Sequence, residues 1–284
     1  MKMNENINPK ISIITVSYNA VKTIEQTILS VINQSYDNIE YIIIDGGSTD
    51  GTVDIIKKYE DRIAYWISEP DEGIYDAMNK GIDRATGDWI YFIGADDWLY
   101  RNKTIELVVK EIDKKKEFDI VYGKIMLIDS RVNLQKESSL VKENNVFVGI
   151  PHQAFFVKTN IIKLNKFDLH YRMAADYDFI LYCYLNKYEF YGIDMVIANY
   201  SVNGLSSNLI KKCFDEFSMI LENNNITDDK QKTFFQYNDK NNIWLKQIIK
   251  YFLIKLNLWG YIQSKRGWNK FDDKALMESD IWTQ

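Results

Sequence analysis

The chain contains little of what marks several protein classes. Among its 284 residues are only 2 cysteines, 3 prolines and 13 glycines. Two cysteines cannot build a disulfide framework, and so few prolines and glycines exclude collagen-like and proline-rich chains. Cys183 and Cys213 both lie among apolar neighbours in the sequence, so we expect buried, unreactive thiols.

Long hydrophobic runs are missing as well. No stretch of about 18 apolar residues occurs, so we expect no membrane-spanning helix. Residues 1–8 lack the basic start and the apolar centre of a secretory signal peptide. Together with the scarce cysteines, this pattern predicts a cytoplasmic protein.

An excess of positive charge is also absent. The formal net charge is −5, and residues 1–100 contain 8 basic against 17 acidic side chains. Because nucleic-acid phosphates are bound by clustered lysine and arginine, we expect no nucleic-acid partner. The acidic first third indicates carboxylates that bind a cation, although most of these side chains only solvate helix faces.

Several catalytic motifs do not occur. The segment 46–51 (GGSTDG) is not the G-x-G-x-x-G pattern of dinucleotide binding, and no G-x-x-x-x-G-K-[ST] loop is present. The sequence also lacks G-x-S-x-G, H-E-x-x-H and a cluster of cysteine and histidine. These absences count against dinucleotide oxidoreductases, P-loop NTPases and the hydrolases that carry such motifs.

What the first hundred residues do contain is a regular alternation of strands and helices. Apolar, β-branched runs predict the strands, and apolar positions at helical spacing predict the helices between them. We place strands at 11–16, 41–44, 63–67 and 89–93, and helices at about 20–33, up to 59, and at 74–85. This order predicts an α/β fold with a mostly parallel central sheet.

Polar residues follow each of these predicted strands. They occupy positions 15–19, 45–48, 69–71 and 96–97. The carboxyl ends of parallel strands meet at one edge of the sheet, and α/β sheets bind ligands at that edge. The sequence therefore predicts a nucleotide-type cleft.

The first acidic pair in this pattern, Asp96 and Asp97, comes directly after a buried strand. Carboxylate oxygens suit Mg²⁺ or Mn²⁺, which would offset the cost of placing two acids there. The pair could equally cap the helix near residue 102, where negative charge meets the helix N-terminus. The residues alone leave both interpretations open.

A second acidic pair, Asp176 and Asp178, is flanked by apolar and aromatic residues. An aspartate in that setting can act as a general base. One of the two could instead cap the helix that runs to residue 185. His152 is similarly ambiguous, since a single histidine is either a hydrogen-bonded core residue or a ligand.

Several of these segments together resemble bacterial glycosyltransferase family 2. The matching segments are 9–19 (PKISIITVSYN), 45–52 (DGGSTDGT), 69–81 (EPDEGIYDAMNKG), 85–89 (ATGDW), 95–97 (ADD), 151–153 (PHQ) and 171–178 (YRMAADYD). The resemblance is dense over 9–100, patchy over 146–200 and absent after about 205. Any one motif would be weak evidence, but their shared order is specific.

The resemblance implies a fold, an activity and a cofactor. The fold is the GT-A nucleotide-diphospho-sugar transferase fold, with a catalytic domain over 1–204 and a helical C-terminal extension over 205–284. Within the domain, 9–100 would bind the donor and 101–204 the acceptor. The implied activity is inverting transfer of a hexose or N-acetylhexosamine from a UDP-linked donor, with a divalent metal, Mn²⁺ or Mg²⁺. The implied acceptor is a saccharide or an undecaprenyl-diphosphate-linked saccharide in surface polysaccharide synthesis.

The resemblance also implies roles for individual residues. Asp176 falls at the position of the catalytic base, and Asp97 with Asp96 at the position of the metal ligands. Donor contacts are implied for Thr15, Val16, Tyr18, Asp45, Asp76, Asn79, Lys80 and Asp96. Contacts on the side of the acceptor or the diphosphate are implied for His152, Gln153, Arg172 and Asp178.

Two positions depart from the pattern of this family. Gly94 and Ala95 stand before Asp96, where the usual metal signature begins with a further aspartate. Gly46 stands where many members have a second aspartate that contacts uracil.

The C-terminal segment 240–270 combines basic and aromatic residues. It has no acidic residue and contains three tryptophans and seven basic residues, namely Lys240, Lys246, Lys250, Lys255, Lys265, Arg266 and Lys270. A helix here would place one apolar face between lysines, which is typical of a helix lying on the inner membrane surface. A core helix or an oligomer interface fits the same pattern, so a peripheral membrane position and an oligomer both stay open.

Two other functions compete with a transferase. A sugar-nucleotide pyrophosphorylase would need a glycine-rich basic loop after the first strand, and Tyr18 to Ala20 supply none. A non-catalytic nucleotide-sugar or glycan-binding module would have no need of Asp96, Asp97 and Asp176 together. The sequence therefore favours the enzyme.

Overall fold

A computed structural model describes residues 8–114, 117–130, 134–138, 140, 150–202, 210–226 and 269–270. These residues divide into two compact units, one containing the described parts of 8–126 and 137–200 and the other the described parts of 127–136 and 201–273. The predicted domain boundary at 204 lies outside the described residues, as does most of the segment 240–270. Asn269–Lys270 form a short strand.

Strands and helices alternate along most of the chain. The strands are β1 (Ile11–Ser17), β2 (Ile39–Asp45), β3 (Tyr65–Ser68), β4 (Trp89–Gly94), β5 (Trp98–Leu99), β6 (Ile120–Asp129), β7 (Leu134–Glu137), β8 (Phe155–Lys158), β9 (Phe190–Ser201) and β10 (Asn269–Lys270). The helices are α1 (Ile24–Ile32), α2 (Thr52–Lys58), α3 (Ile74–Arg84), α4 (Thr104–Lys114), α5 (Thr159–Leu164), α6 (Ala175–Leu185) and α7 (Ile210–Asn223), with 3₁₀ turns at Glu60–Arg62 and His152–Ala154.

The sheet of the first unit combines parallel and antiparallel strands. Its order is β6-β8-β4-β1-β2-β3. The four strands predicted from the first hundred residues pair in parallel, with β1 between β2 and β4. β8 pairs antiparallel with both β4 and β6. The predicted parallel sheet is thus confirmed for the four strands β1 to β4, and β8 and β6 extend this sheet with antiparallel pairing.

The core explains why β1 lies at the centre of this sheet. All seven of its residues are buried, as expected for a strand covered on both faces. Ile11 and Ile13 belong to a cluster with Ile24 of α1. Ile14 lies next to Gly81 of α3, where a Cβ atom would stand 2.5 Å from the isoleucine Cγ2. Successive residues of the strand therefore pack against helices on opposite faces.

The second unit contains α7 and a short antiparallel ladder. β10 pairs with β7, and Asn269 lies opposite Gln135. Across the described parts of the chain, no helix is long and apolar enough to cross a membrane.

Gly87, in the turn before β4, lies directly against backbone. A Cβ atom there would stand 2.6 Å from the carbonyl oxygen of Lys10 and 2.8 Å from the amide nitrogen of Ser12. We expect Gly87→Ala to lower the free energy of unfolding by about 1–3 kcal/mol, because backbone has to move to admit the methyl group. Urea unfolding measures this loss.

Gly46→Ala is the matched control for that prediction. A Cβ atom at position 46 would meet the carboxylate of Asp71, at 2.4 Å from Oδ2. A side chain can swing away at little cost, so this substitution should destabilise the protein much less. Equal losses of stability for the two variants would contradict this explanation.

Candidate active site

The parallel strands bring their carboxyl ends to one edge of the sheet. In the β1–β2 ladder Ser17 lies opposite Asp45, and in the β1–β4 ladder Val16 lies opposite Gly94. Asp96 and Asp97 follow two and three residues after Gly94. The register therefore gathers the polar segments that the sequence placed at the predicted cleft.

Asp45 is fully buried at this edge and saturated with hydrogen bonds. Its Oδ1 accepts from the hydroxyls of Ser17 at 2.8 Å and Ser48 at 2.6 Å. Its Oδ2 accepts from the Ser68 hydroxyl at 2.6 Å and from the amides of Ser48 and Gly47 at 2.8 and 3.2 Å. Burial raises the pKa of Asp45, but these donors outweigh burial and hold the pKa below its ordinary value. The carboxylate thus shapes the loop after β2, and its predicted donor contact stays a prediction.

The loop after β3 places a second carboxylate beside this one. Asp71 occupies the space next to Gly46 that a side chain at position 46 would need. Its Oδ1 accepts from the amide of Gly73 at 2.8 Å. Position 46 has no aspartate, but the carboxylate of Asp71 reaches the same place from a different loop.

Asp96 and Asp97 have different surroundings. Asp97 is 1% exposed, and its Oδ2 accepts from the side-chain amide of Gln153 at 2.8 Å. Asp96 is partly exposed. Burial raises the pKa of Asp96, while its own amide and the charge of His152 lower it by less. Neither residue caps α4, which begins at Thr104.

Asp96 is suited to a divalent cation held jointly with a ligand. Burial disfavours its charged form, and among the described residues no lysine or arginine acts on it to compensate. No group of three or more His, Cys, Asp or Glu side chains is placed to hold a metal within the described part of the chain. Mg²⁺ and similar ions are commonly bound by one or two carboxylates together with substrate phosphates. Asp96 fits that mode, whereas the buried Asp97 is engaged by Gln153.

Asp176, in the first turn of α6, forms the centre of a second cluster. Its Oδ2 lies 3.0 Å from Nδ1 of His152. Its Oδ1 accepts from the Tyr75 hydroxyl at 2.8 Å and from the Tyr177 amide at 2.9 Å. Burial raises the pKa of Asp176, but the hydrogen bond and charge of His152, with the other donors, keep that pKa below its ordinary value. His152 thus acts electrostatically on both Asp96 and Asp176.

Asp178 belongs to a different environment from Asp176. Residues two positions apart on a helix do not share a face. Burial raises the pKa of Asp178 to about 6, and the charge of Asp168 adds to the rise. The N-cap position of α6 is Ala174, with no capping side chain. Neither acid is therefore the N-cap residue of α6, although both lie in its first turn.

Three residues of α3 that are predicted to contact the donor already bond other residues of the protein. Asn79 exchanges two hydrogen bonds with the backbone of Phe167, at 2.8 and 3.0 Å. Lys80 forms ion pairs with Glu69 at 3.0 Å and Asp76 at 3.4 Å. These contacts fix α3 against its neighbouring loops, and the donor-binding role of the three residues stays a prediction.

The remaining predicted positions differ in how accessible they are. Thr15 is fully buried and hydrogen-bonds the Tyr41 hydroxyl at 3.1 Å, and Val16 is 7% exposed. Tyr18 is 67% exposed, which leaves its ring available for stacking. The exposed Arg172 donates a hydrogen bond to the carbonyl of Glu72, at the loop that precedes α3.

The sequence did not reveal Tyr75 as part of the site. Tyr75 is 101 residues from Asp176 along the chain, and nothing in its local pattern pointed to the hydrogen bond. The only available signal was its place inside the matching segment 69–81. The pairing of His152 with Asp176 leaves no local signal either, although the sequence marks each of the two residues as a candidate.

Comparison with known proteins shows that the chain is similar to glycosyltransferases. The family model described as "Glycosyl transferase family 2" matches residues 12–181. A "PGL/p-HBAD biosynthesis glycosyltransferase" of Mycobacterium tuberculosis is 32% identical over 220 residues, covering 72% of this chain and 82% of the relative. An "Uncharacterized glycosyltransferase" of the same species is 35% identical over 206 residues, covering 70% and 78%.

Solved structures agree on the fold. Residues 1–349 of TarS from S. aureus match with a TM-score of 0.63 at 18% identity, covering 88% of this chain and 78% of that one. A mannosyltransferase of Pyrobaculum calidifontis, solved with GDP-Man and Mn²⁺, matches with a TM-score of 0.56 at 18% identity, covering 68% and 57%. The fold is the GT-A fold of nucleotide-sugar transferases. The chain belongs to glycosyl transferase family 2 and is a glycosyltransferase.

Proposed function

We propose that this protein transfers a hexose or N-acetylhexosamine, with inversion, from a UDP-linked donor to a saccharide or undecaprenyl-diphosphate-linked saccharide. The observation that carries the proposal is the cluster in which Asp176 bonds His152 at 3.0 Å and Tyr75 at 2.8 Å. Asp96, with its raised pKa, has no cationic partner among the described lysines and arginines, while Asp176 is held as an anion. Asp96 suits a donor diphosphate with its cation, and Asp176 suits an acceptor hydroxyl that loses its proton.

The named relatives support this choice of substrates. TarS from S. aureus was solved with UDP-GlcNAc, and the mycobacterial relative is named for "PGL/p-HBAD biosynthesis". By analogy with these relatives, this chain would take part in the synthesis of a bacterial surface polysaccharide. A peripheral position on the inner membrane surface, through 240–270, would bring the enzyme to a lipid-linked acceptor.

Asp96 would hold a Mn²⁺ or Mg²⁺ ion together with the donor diphosphate. When bound, the ion supplies Lewis-acid stabilisation of charge on the leaving diphosphate. The chain's own residues perform the other tasks. Tyr18 stacks on the base with its exposed ring, and Asp45 holds the loop after β2 in the shape that receives the nucleoside. The Asp176 cluster receives the proton of the attacking hydroxyl.

The reaction is then a single displacement at the anomeric carbon. The acceptor oxygen attacks from the side opposite the diphosphate, which inverts the configuration. Holding both substrates in line supplies a large part of the rate, and a positioned base contributes about 10²–10⁴-fold.

Thermal unfolding with a panel of nucleotide-sugars tests the donor site. A saturating UDP-sugar with Mn²⁺ should raise the melting temperature, since a ligand at about 100 times its Kd stabilises by about 2.7 kcal/mol. Asp96→Asn should remove the part of the rise that depends on Mn²⁺. Asp54→Asn, an exposed acid on α2, is the control and should keep it. The absence of a shift with every UDP-, GDP- and dTDP-sugar would count against a nucleotide-sugar donor.

A further inference from the structure

The two oxygens of Asp176 are engaged unequally. A carboxylate offers about four lone-pair positions, two on each oxygen. Oδ1 already accepts two hydrogen bonds, from Tyr75 and from the Tyr177 amide. Oδ2 faces Nδ1 of His152 at 3.0 Å. Most of the capacity of this carboxylate is therefore committed to the protein.

This arrangement determines which nitrogen of His152 carries the proton. An ionised carboxylate only accepts hydrogen bonds, so Nδ1 must be the donor. In a neutral ring Nε2 then has a free lone pair. No described residue bonds Nε2, and this atom is not among the described side-chain atoms that are buried without a partner. The His152 side chain keeps 14% of its surface exposed.

The backbone that carries His152 is also fixed. It begins the 3₁₀ turn His152–Ala154. The Tyr91 hydroxyl donates to the carbonyl of Gln153 at 2.9 Å, and the Gln153 side chain donates to Asp97 at 2.8 Å. The ring is thus held from one side by a buried turn and from the other by Asp176. Such support holds a reactive group in productive geometry.

We propose that His152 and Asp176 act as a pair, in which Nε2 of His152 accepts the proton of the acceptor hydroxyl and Asp176 positions the ring. The inference rests on the transferase function proposed above. As the acceptor O–H bond breaks, its proton goes to Nε2, and the oxygen electron pair forms the bond to the anomeric carbon. The bond from that carbon to the diphosphate oxygen breaks, and its electrons leave with the nucleotide diphosphate. Asp176 stabilises the resulting imidazolium, as a carboxylate does beside a catalytic histidine in other enzymes.

The contrasting assignment makes Asp176 itself the base. Burial raises the pKa of Asp176, but its hydrogen bonds from His152, Tyr75 and the Tyr177 amide outweigh burial and keep that pKa below its ordinary value, which makes its carboxylate a weak proton acceptor. Its Oδ1 is filled and its Oδ2 is directed at the ring. The same geometry suits Asp176 to positioning His152.

His152→Asn separates these assignments. The asparagine amide can place an N–H group near the position of Nδ1 and preserve the hydrogen bond to Asp176, but it offers nothing at the position of Nε2. The measurement is release of UDP or GDP from UDP-GlcNAc and GDP-mannose, with kcat and KM determined for the donor that the wild-type protein turns over. We expect kcat to fall by about 10²–10⁴-fold with the donor KM changed less than about threefold. A variant that keeps more than about a tenth of the wild-type kcat would overturn the proposal. Donor-induced thermal stabilisation of the variant confirms that it folds.

Histidine-selective ¹⁵N NMR tests the pair without any substrate. The chain has only 2 histidines, and the other, His170, is exposed and bonds Asp168. In a His170→Gln background at alkaline pH, we expect the ring of His152 to be protonated at Nδ1. Protonation at Nε2 instead would overturn the proposal. Failure of the wild-type protein to turn over any nucleotide-sugar would count against the transferase function. The tautomer of His152 would then still show whether His152 and Asp176 form the proposed pair.

Discussion

Asp176→Asn is expected to reduce sugar transfer by about 10²–10⁴-fold while changing donor affinity by less than about threefold. Asparagine has nearly the shape of aspartate, but it cannot carry the charge that stabilises a protonated His152. Its amide can also donate to Nδ1, which would favour the tautomer with a proton on Nε2. The measurement is kcat for transfer, together with donor affinity from thermal stabilisation.

Asp54→Asn provides the control. Asp54 is an exposed acid on α2 with no predicted role at the site, so its neutral variant should keep transfer close to that of wild type. Loss of donor binding in Asp176→Asn would assign Asp176 to the donor site and contradict its role in proton transfer.

Glu40→Gln is expected to lower the free energy of unfolding by about 2–4 kcal/mol at pH 7. Glu40 of β2 is 8% exposed. It accepts hydrogen bonds from Lys10 at 2.8 Å, from Ser12 at 2.6 Å, and from the amide and hydroxyl of Thr86 at 2.7 and 2.6 Å. A glutamine amide would place N–H groups against some of these donors and leave the Lys10 charge unpaired.

This loss should depend on pH in a specific direction. Burial raises the pKa of Glu40, but its donors outweigh burial and lower the pKa to about 2 from the ordinary 4.5. A carboxylate with a lowered folded-state pKa stabilises the protein fully above its unfolded pKa and loses that contribution as the pH falls. The difference between wild type and Glu40→Gln should therefore shrink as the pH falls from about 4.5 toward 2.

Urea unfolding across this pH range measures the effect. Glu25→Gln is the control, since Glu25 pairs with Lys58 near the surface, where the two side chains are 41% and 62% exposed. Surface pairs contribute about 0–1 kcal/mol. A constant difference for Glu40→Gln from pH 7 to pH 2 would show that its effect comes from packing rather than from charge.

The sequence predicted the first half of the fold well because each element there is encoded locally. The run of β-branched residues in β1 and the apolar spacing of α1 are properties of neighbouring residues. Both elements lie within a few residues of their predicted bounds. The antiparallel strands β8 and β9 were not predicted, since their pairing depends on residues far away in the chain. Strand pairs of that kind leave only a weak local signal.

The candidate site likewise combines features that the local sequence encodes with contacts that only the fold creates. The sequence determined by itself that carboxylates follow the parallel strands and that their motifs belong to family 2. Only the tertiary structure decided that Asp176 pairs with His152 and Tyr75, that Asp97 is buried beneath Gln153, and that Asp45 is saturated. The physical reason is that motifs specify which residue types are present, whereas a hydrogen bond depends on distances of about 3 Å between segments that the fold brings together.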